Sequence, residues 1–193
     1  MLLDDATTSP PPTPTLETRR LILRPLTFED APAIQRLFPQ WEVIRHLNPV
    51  VPWPYPDDGA LTNVTECLVT RRGQKFHWAI TLKDRPGDLR GRIDLWPDDG
   101  EQRDMRGFWL DPTLQGQGLM TEAAERVTAF AFEEMGWPLL YLTNAEANGA
   151  SHRIKEKQGA TIFSRTPARF RGGEGVRVTW VLTRDAWLTA RSS

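Results

Sequence analysis

Large apolar residues at every second position mark the strands of this chain. Between Phe76 and Leu82 they alternate with smaller or more polar residues, which is the period of a strand with one buried face. Leu89–Trp96 and Met105–Leu110 read as two further strands, and the short polar turn Pro97–Gly100 between them requires antiparallel pairing. The other predicted strands are Leu16–Pro25, Leu139–Thr143, Thr161–Arg165 and Val176–Leu182, the last two flanking Gly172–Gly175 as a hairpin.

Apolar residues three and four positions apart predict the helices. We expect helices after a capping box at Thr27–Asp30, at Trp41–Leu47 and Asp58–Arg72, and from Met120 to Gly136 and Asn148 to Gly159. The segment Pro49–Pro56 must be a stiff loop, because proline removes backbone donors and fixes the backbone. This order of elements predicts an α/β fold in which a mixed sheet carries helices on both faces.

A glycine-containing turn lies between the strand Met105–Leu110 and the helix that begins near Met120. Gly116 and Gly118 let the backbone approach a ligand, and the first amides of the following helix have no partners within it. The helix dipole adds an attraction for negative charge, so the turn is typical of an anion site. It is neither a P-loop, since no Gly-Lys-Ser/Thr follows, nor the dinucleotide fingerprint, since the third glycine is missing.

Composition narrows the class of protein. The length of 193 residues suits one domain, predicted over residues 16–193, after a flexible leader rich in proline and threonine over residues 1–15. A formal net charge of −1 gives no general attraction to nucleic acid or to an anionic membrane. Because the single cysteine, Cys67, has no internal disulfide partner, a cytoplasmic location is expected. No apolar run is long enough to span a bilayer.

Two motifs resemble those of a known family. Gln115-x-x-Gly118-x-Met120 resembles the coenzyme A loop of the GNAT acyltransferases, with Met120 where the family has a small residue. Asn148-x-x-Ser151, one strand further on, is similar to the RimJ/RimL-type branch of N-acetyltransferases. The resemblance runs from Leu16 to Leu188 and implies a GNAT-like fold, with a mixed, mostly antiparallel central sheet and helices on both faces.

The resemblance also implies how acetyl-CoA is bound as co-substrate. Backbone amides of the loop hold the pyrophosphate, and the edge of the strand ending at Leu110 pairs with the pantetheine arm. Asn148 binds the pantetheine amides, and Ser151 donates a hydrogen bond to the sulfur as it leaves. The loop residues implied in donor binding are Gln115, Gly116, Gln117, Gly118, Leu119, Met120 and Thr121.

Several residues have a second, purely structural interpretation. Asn148 is also a suitable helix cap, with Ser151 an ordinary first-turn residue. Arg153, Lys155 and Lys157 either reach the ribose phosphate or form a solvated face. Three carboxylates are candidates for the general base: Asp94, which is the first choice, Glu146 and Glu174. Each of them is more often a solvated or capping carboxylate. The three histidines are too scattered for a metal site, and no metal is expected.

The sequence leaves the acceptor open. Trp53 and Tyr55 in the proline-rich loop are candidates for an acceptor wall, or else they pack beneath a rigid loop. Arg169 and Arg171 are candidates for holding an acidic acceptor group. The expected activity is transfer of an acetyl group to a primary amine, on a protein N-terminus or a small molecule, by direct attack. The alternative is a non-catalytic acyl-CoA-binding or sensing module, and monomer and homodimer both stay open.

Overall fold

Two antiparallel sheets and six α-helices make up the part of the protein that the computed structural model describes, residues 12–69, 75–101 and 103–192. The first sheet has the order β1-β2-β3-β4-β5 and the second the order β6-β8-β7. The strands are β1 Leu16–Glu17, β2 Leu21–Pro25, β3 Phe76–Leu82, β4 Arg85–Leu95, β5 Arg106–Leu110, β6 Leu139–Ala145, β7 Thr161–Phe170 and β8 Gly173–Thr183. The helices are α1 Ala31–Leu37, α2 Trp41–Ile44, α3 Gly59–Val69, α4 Leu119–Ala129, α5 Gly149–Lys157 and α6 Arg184–Arg191.

Helices cover both faces of the first sheet, as predicted. On one face Trp78 and Phe76 of β3 pack against Phe130, directly after α4, with ring centroids 5.5 and 5.0 Å away. On the other face Ala79 of β3 belongs to a second apolar cluster, which includes Ile34 of α1. The expectation of a single buried face for β3 is therefore wrong, although the predicted fold class is confirmed.

The opening segment forms two strands where one was predicted. Thr18 turns the chain: its amide donates to the Leu21 carbonyl at 3.0 Å, and its Oγ1 accepts from the Leu21 amide at 2.9 Å. This turn folds β1 back on β2, with Leu16 opposite Leu23. Of the predicted leader, residues 1–11 lie outside the described residues, and Pro14 accepts a 2.6 Å hydrogen bond from Trp78 Nε1.

The last third of the chain holds one helix that the sequence pattern did not reveal. Thr183 Oγ1 accepts from the Ala186 amide at 3.2 Å and so caps α6, whose Trp187 is fully buried. The hairpin before it is longer than predicted. Its outer part could not be recognised from the sequence, because the residues of β7 there are mostly exposed and show no apolar alternation. Within the described ranges no helix is long and apolar enough to cross a membrane.

Candidate functional site

A groove opens where the two sheets separate. The Met105 amide, just before β5, donates to the Tyr141 carbonyl of β6 at 2.8 Å, so the sheets touch at this end. At the other end of these strands lies a groove of about 490 Å³. It is lined by the end of β5, the glycine turn, the first turns of α4 and α5, and the segment from α2 to Leu47.

The glycine turn has the backbone shape that the sequence predicted. Gly116 and Gly118 have φ values of 77° and 76°, a left-handed conformation that disfavours other residues. Glu122 is the first donor of α4, bonded to the Gly118 carbonyl at 3.1 Å, so the amides of Leu119, Met120 and Thr121 precede the helical hydrogen bonds. These three residues line the groove.

Arg20 and Glu122 brace this turn from behind. Glu122 accepts hydrogen bonds from the Arg20 amide and Nε, both at 2.7 Å, and from Thr18 Oγ1 at 2.5 Å. Arg20 Nη1 also donates to the Gln117 carbonyl at 3.0 Å. Burial alone would raise the pKa of Glu122, but these hydrogen bonds lower it. The carboxylate charge is thus paired with Arg20, which limits its opposition to an anion at the helix N-terminus.

The strand β5 is the edge strand of the first sheet, and its C-terminal end presents one side to the groove. The Asp111 amide faces β4 and donates to the Arg90 carbonyl at 2.7 Å, so the neighbouring Leu110 backbone faces the opposite edge. On that edge Gln115 Nε2 donates to the Leu110 carbonyl at 3.1 Å. Gln117 differs from the other predicted loop residues, because it is not among those that line the groove.

Asn148 and Ser151 both line the groove at the start of α5. Asn148 Oδ1 accepts from the Ser151 amide at 3.1 Å, so the predicted capping interpretation is correct for the side-chain oxygen. The hydroxyl of Ser151 accepts a hydrogen bond from Lys155 Nζ at 2.8 Å. A capping role and a position in the groove are therefore compatible for Asn148.

Lys155 does not belong to a solvated basic face. Its side chain is 1 % exposed, whereas Arg153 and Lys157 are exposed and line the groove. The pKa of Lys155 is lowered to about 7, chiefly by burial and also by the nearby Arg106, while Asp104 partly opposes the change. The spacing of Ser151 and Lys155, four residues apart on one helix face, was the available sequence signal for this contact.

The three base candidates lie in ion pairs. Asp94 accepts from Arg92 Nε at 2.8 Å and from His77 Nδ1 at 2.9 Å, and it is not among the residues that line the groove. Burial would raise the pKa of Asp94, but Arg92 and His77 outweigh this effect and lower it. Glu146 and Glu174 are exposed and pair with Arg165 at 3.2 Å and Arg169 at 3.6 Å.

Side chains of α2 and the residues after it form the end of the groove that sequence reasoning missed. Glu42 and His46 line this end, and His46 has a lowered pKa because of burial and the neighbouring Arg45. The turn between β7 and β8 holds the segment in place: the Arg171 amide donates to the Leu47 carbonyl and the Gly172 amide to the Arg45 carbonyl, each at 2.9 Å. Contacts so distant in the chain leave no local sequence signal.

The proline-rich loop lies beside a second cavity. Tyr55 lines this cavity of about 430 Å³ together with Trp109 of β5, which also lines the groove. Trp53 is 40 % exposed and packs on Trp41, with ring centroids 5.4 Å apart. Neither Trp53 nor Tyr55 is among the groove-lining residues, and their role as an acceptor wall stays a prediction. Arg171, a candidate for an acidic acceptor, donates to the Pro49 and Val51 carbonyls.

Comparison with known proteins identifies the family. Residues 20–161 match the model of the acetyltransferase (GNAT) domain, so the chain belongs to the GNAT family of acetyltransferases, whose members use acetyl-CoA. This membership confirms the family predicted from the loop and Asn148-x-x-Ser151. Among curated proteins the chain is similar to the uncharacterized N-acetyltransferase YnaD of Bacillus subtilis strain 168, with 26% identity over 144 residues, 75% of this chain and 81% of the relative.

Solved structures share the whole fold at low sequence identity. RimL, the ribosomal L7/L12 alpha-N-protein acetyltransferase, in complex with coenzyme A, has a TM-score of 0.74 and 17% identity, over 90% of this chain and 99% of that one. Mycobacterium smegmatis RimJ in complex with CoA-disulfide has a TM-score of 0.74 and 18% identity, over 89% and 88%. The likeness to RimL and RimJ is one of fold.

Proposed function

We propose that this protein transfers the acetyl group of acetyl-CoA to a primary amine by direct attack. The observation that carries the proposal is the groove, which brings the free amides of α4, the open edge of β5 and Ser151 to one surface. Acetyl-CoA, when bound, supplies an acetyl group on a thioester. The protein must then bind the donor, polarise the thioester oxygen and leave room for the amine.

The donor end of the groove suits a phosphate-bearing ligand. The amides of Leu119, Met120 and Thr121 would hold the pyrophosphate, since they point from a helix N-terminus whose dipole favours negative charge. Arg153 and Lys157 are exposed along the same groove and add positive charge. The left-handed conformations of Gly116 and Gly118 support this assignment, because they favour glycine, which adds no side chain at those two positions.

The open edge of β5 suits the pantetheine arm and the thioester. Leu110 faces this edge, so its amide would pair with the arm or donate to the thioester oxygen. Ser151 would donate to the sulfur as it leaves. A thiol has a pKa of about 8.5, so the leaving group needs a hydrogen bond and no strong acid.

The acceptor amine would enter from the α2 end of the groove, where Glu42 and His46 lie. A protein N-terminus is the acceptor class we propose, in keeping with the alpha-N-protein acceptor named for RimL. Such an amine has a pKa of about 7.7 to 8.0, so a weak base linked through water is sufficient. Asp94 is a poor choice for this base, because its pKa is lowered by Arg92 and His77.

An acceptor screen tests the proposal. Acetyl-CoA binding is first measured by calorimetry, and thiol release is then followed with short peptides bearing free N-termini, with the same peptides blocked at the N-terminus, and with a polyamine, a free amino acid and an antibiotic amine. We expect release with free but not blocked peptides. Release with a small amine alone would mean that the acceptor is a small molecule and not a protein N-terminus. Binding without any turnover would favour the non-catalytic alternative.

A further inference from the structure

Lys155 occupies an unusual environment for a lysine. It lies on the inner side of α5, 1 % exposed, with Nζ 2.8 Å from Ser151 Oγ and 3.4 Å from the Ser151 carbonyl. The ring centroid of Phe108 on β5 lies 5.6 Å from Nζ. A buried ammonium is costly unless it is paired, and an apolar side chain of similar length would fill this space without that cost.

The charges around Lys155 do not provide a simple ion pair. From β5 the guanidinium of Arg106 faces it, a second buried cation that donates to Thr128 Oγ1 at 2.7 Å and to Gln158 Oε1 at 2.9 Å. The carboxylate of Asp104, before β5, attracts Lys155 electrostatically. The hydrogen bond that Asp104 Oδ1 accepts comes from the Thr143 amide, at 3.2 Å. Glu125 of α4 and Arg177 of β8 act on Arg106 and Asp104, respectively. Folding alone gives no reason for a second cation here.

We propose that Lys155 is a positioning residue for Ser151, which fixes the direction of its hydroxyl and resupplies its proton during acetyl transfer. The proposal rests on the function proposed above. Because Nζ donates to Ser151 Oγ, the hydroxyl hydrogen is left to point along another direction, and Ser151 lines the groove.

The proton balance of the step is complete. The amine nitrogen forms a bond to the carbonyl carbon, the carbon–sulfur bond breaks, and its electron pair stays on sulfur. The Ser151 hydroxyl gives its proton to that sulfur and takes one from Lys155 Nζ. The new amide loses one proton to solvent, and Lys155 regains one from solvent. A lowered pKa of about 7 makes Lys155 able to give up this proton near neutral pH.

The first test uses the thiol of bound coenzyme A and needs neither an acceptor nor turnover. The ultraviolet absorbance of the thiolate is followed against pH for coenzyme A bound to wild type, Ser151→Ala, Lys155→Met and the double variant. We expect each single variant to raise the pKa of the bound thiol by about one unit, as when a charge-assisted hydrogen bond to the thiolate is lost. The double variant should match Ser151→Ala, because Lys155 acts through Ser151.

Controls separate this role from a structural one. Lys83→Met removes an exposed lysine that pairs with Glu17 at 2.9 Å, and it should leave the thiol pKa unchanged. Lys155→Gln keeps a donor without the charge, should restore part of the effect, and carries the test if the methionine variant does not fold. A thiol pKa that is the same in wild type and the Lys155 variants would overturn the proposal, as would single-variant shifts that simply add in the double variant.

A second test works on the protein without any ligand. Denaturant midpoints are measured for the same four proteins. Ser151→Ala should lower the midpoint in wild type, where it removes a partner of a buried ammonium, and should have little effect in the Lys155→Met background. Equal effects in both backgrounds would overturn the proposal. If wild type fails to bind coenzyme A, the proposed function fails, but this second test still decides whether Lys155 and Ser151 are coupled.

Discussion

Replacing Lys155 with methionine should change how the stability of the protein depends on pH. An unfolded lysine has a pKa of about 10.4, whereas Lys155 has a pKa of about 7 in the folded protein. Between these values the unfolded chain binds one more proton than the folded one, so stability rises with pH. The cost of burying the ammonium is fully present below the folded pKa. It disappears as pH rises through the unfolded pKa.

The size of the effect follows from these two pKa values. Linkage between pKa values of about 7 and 10.4 predicts that wild type gains roughly 2.5 kcal/mol of unfolding free energy between about pH 7.5 and about pH 9.5. Lys155→Met lacks this gain, while the other titrating groups cancel in the difference between the two proteins. For a chain of this size the gain corresponds to a relative shift in melting temperature of roughly 5 to 10 °C.

Urea unfolding at the two pH values, followed by circular dichroism, measures this difference. Lys83→Met is the matched control, because it makes the same substitution at an exposed lysine. A difference between wild type and Lys155→Met that stays constant with pH would mean that Lys155 keeps an ordinary pKa. Lys155 would then be a poor proton source near neutral pH.

Three further substitutions test other parts of the site. Gly118→Asp should lower acetyl-CoA affinity at least tenfold in calorimetry, because it adds a negative charge and a side chain at a left-handed position. Gly118→Ala controls for backbone strain, and unchanged affinity in the Asp variant would contradict the phosphate site. Trp53→Ala should raise the acceptor Michaelis constant but leave donor binding nearly unchanged, and a lower melting temperature with a normal acceptor constant would make Trp53 a packing residue. Asp94→Asn should lower stability, since Arg92 loses its carboxylate partner, but the pH dependence of turnover in the folded variant should not change. Loss of the acidic limb of the pH–rate profile would restore Asp94 as the base.

The elements that the sequence predicted well are those whose signals are local. The turn with Gly116 and Gly118 and the cap formed by Asn148 each depend on residues within a few positions of one another. Helix α6 was missed although Thr183 caps it, because a short amphipathic end segment gives few apolar positions to count. The split between β1 and β2 depends on Thr18, whose hydroxyl turned an apparent single strand back on itself.

The burial of Lys155 could not be predicted from residue type. Lysine is usually solvated, so a helix with Arg153, Lys155 and Lys157 reads as a basic face. The structure shows that the three side chains point in different directions, and only two of them are exposed. The contact with Ser151 fits the helical period, but nothing in the period says that this face turns inward beneath β5.

The two ends of the groove are specified in different ways, and this explains why the donor was easier to infer than the acceptor. The donor end consists largely of backbone amides and glycine conformations, which a short motif determines. The proposed acceptor end consists of side chains such as Glu42 and His46. Hydrogen bonds from Arg171 and Gly172 hold this segment, which lies more than a hundred residues earlier in the chain. Substitutions there leave the turn and α4 untouched. On the proposed function, acceptor specificity can therefore change along α2 while the donor site keeps its shape, and neither the family nor the loop motif determines the acceptor.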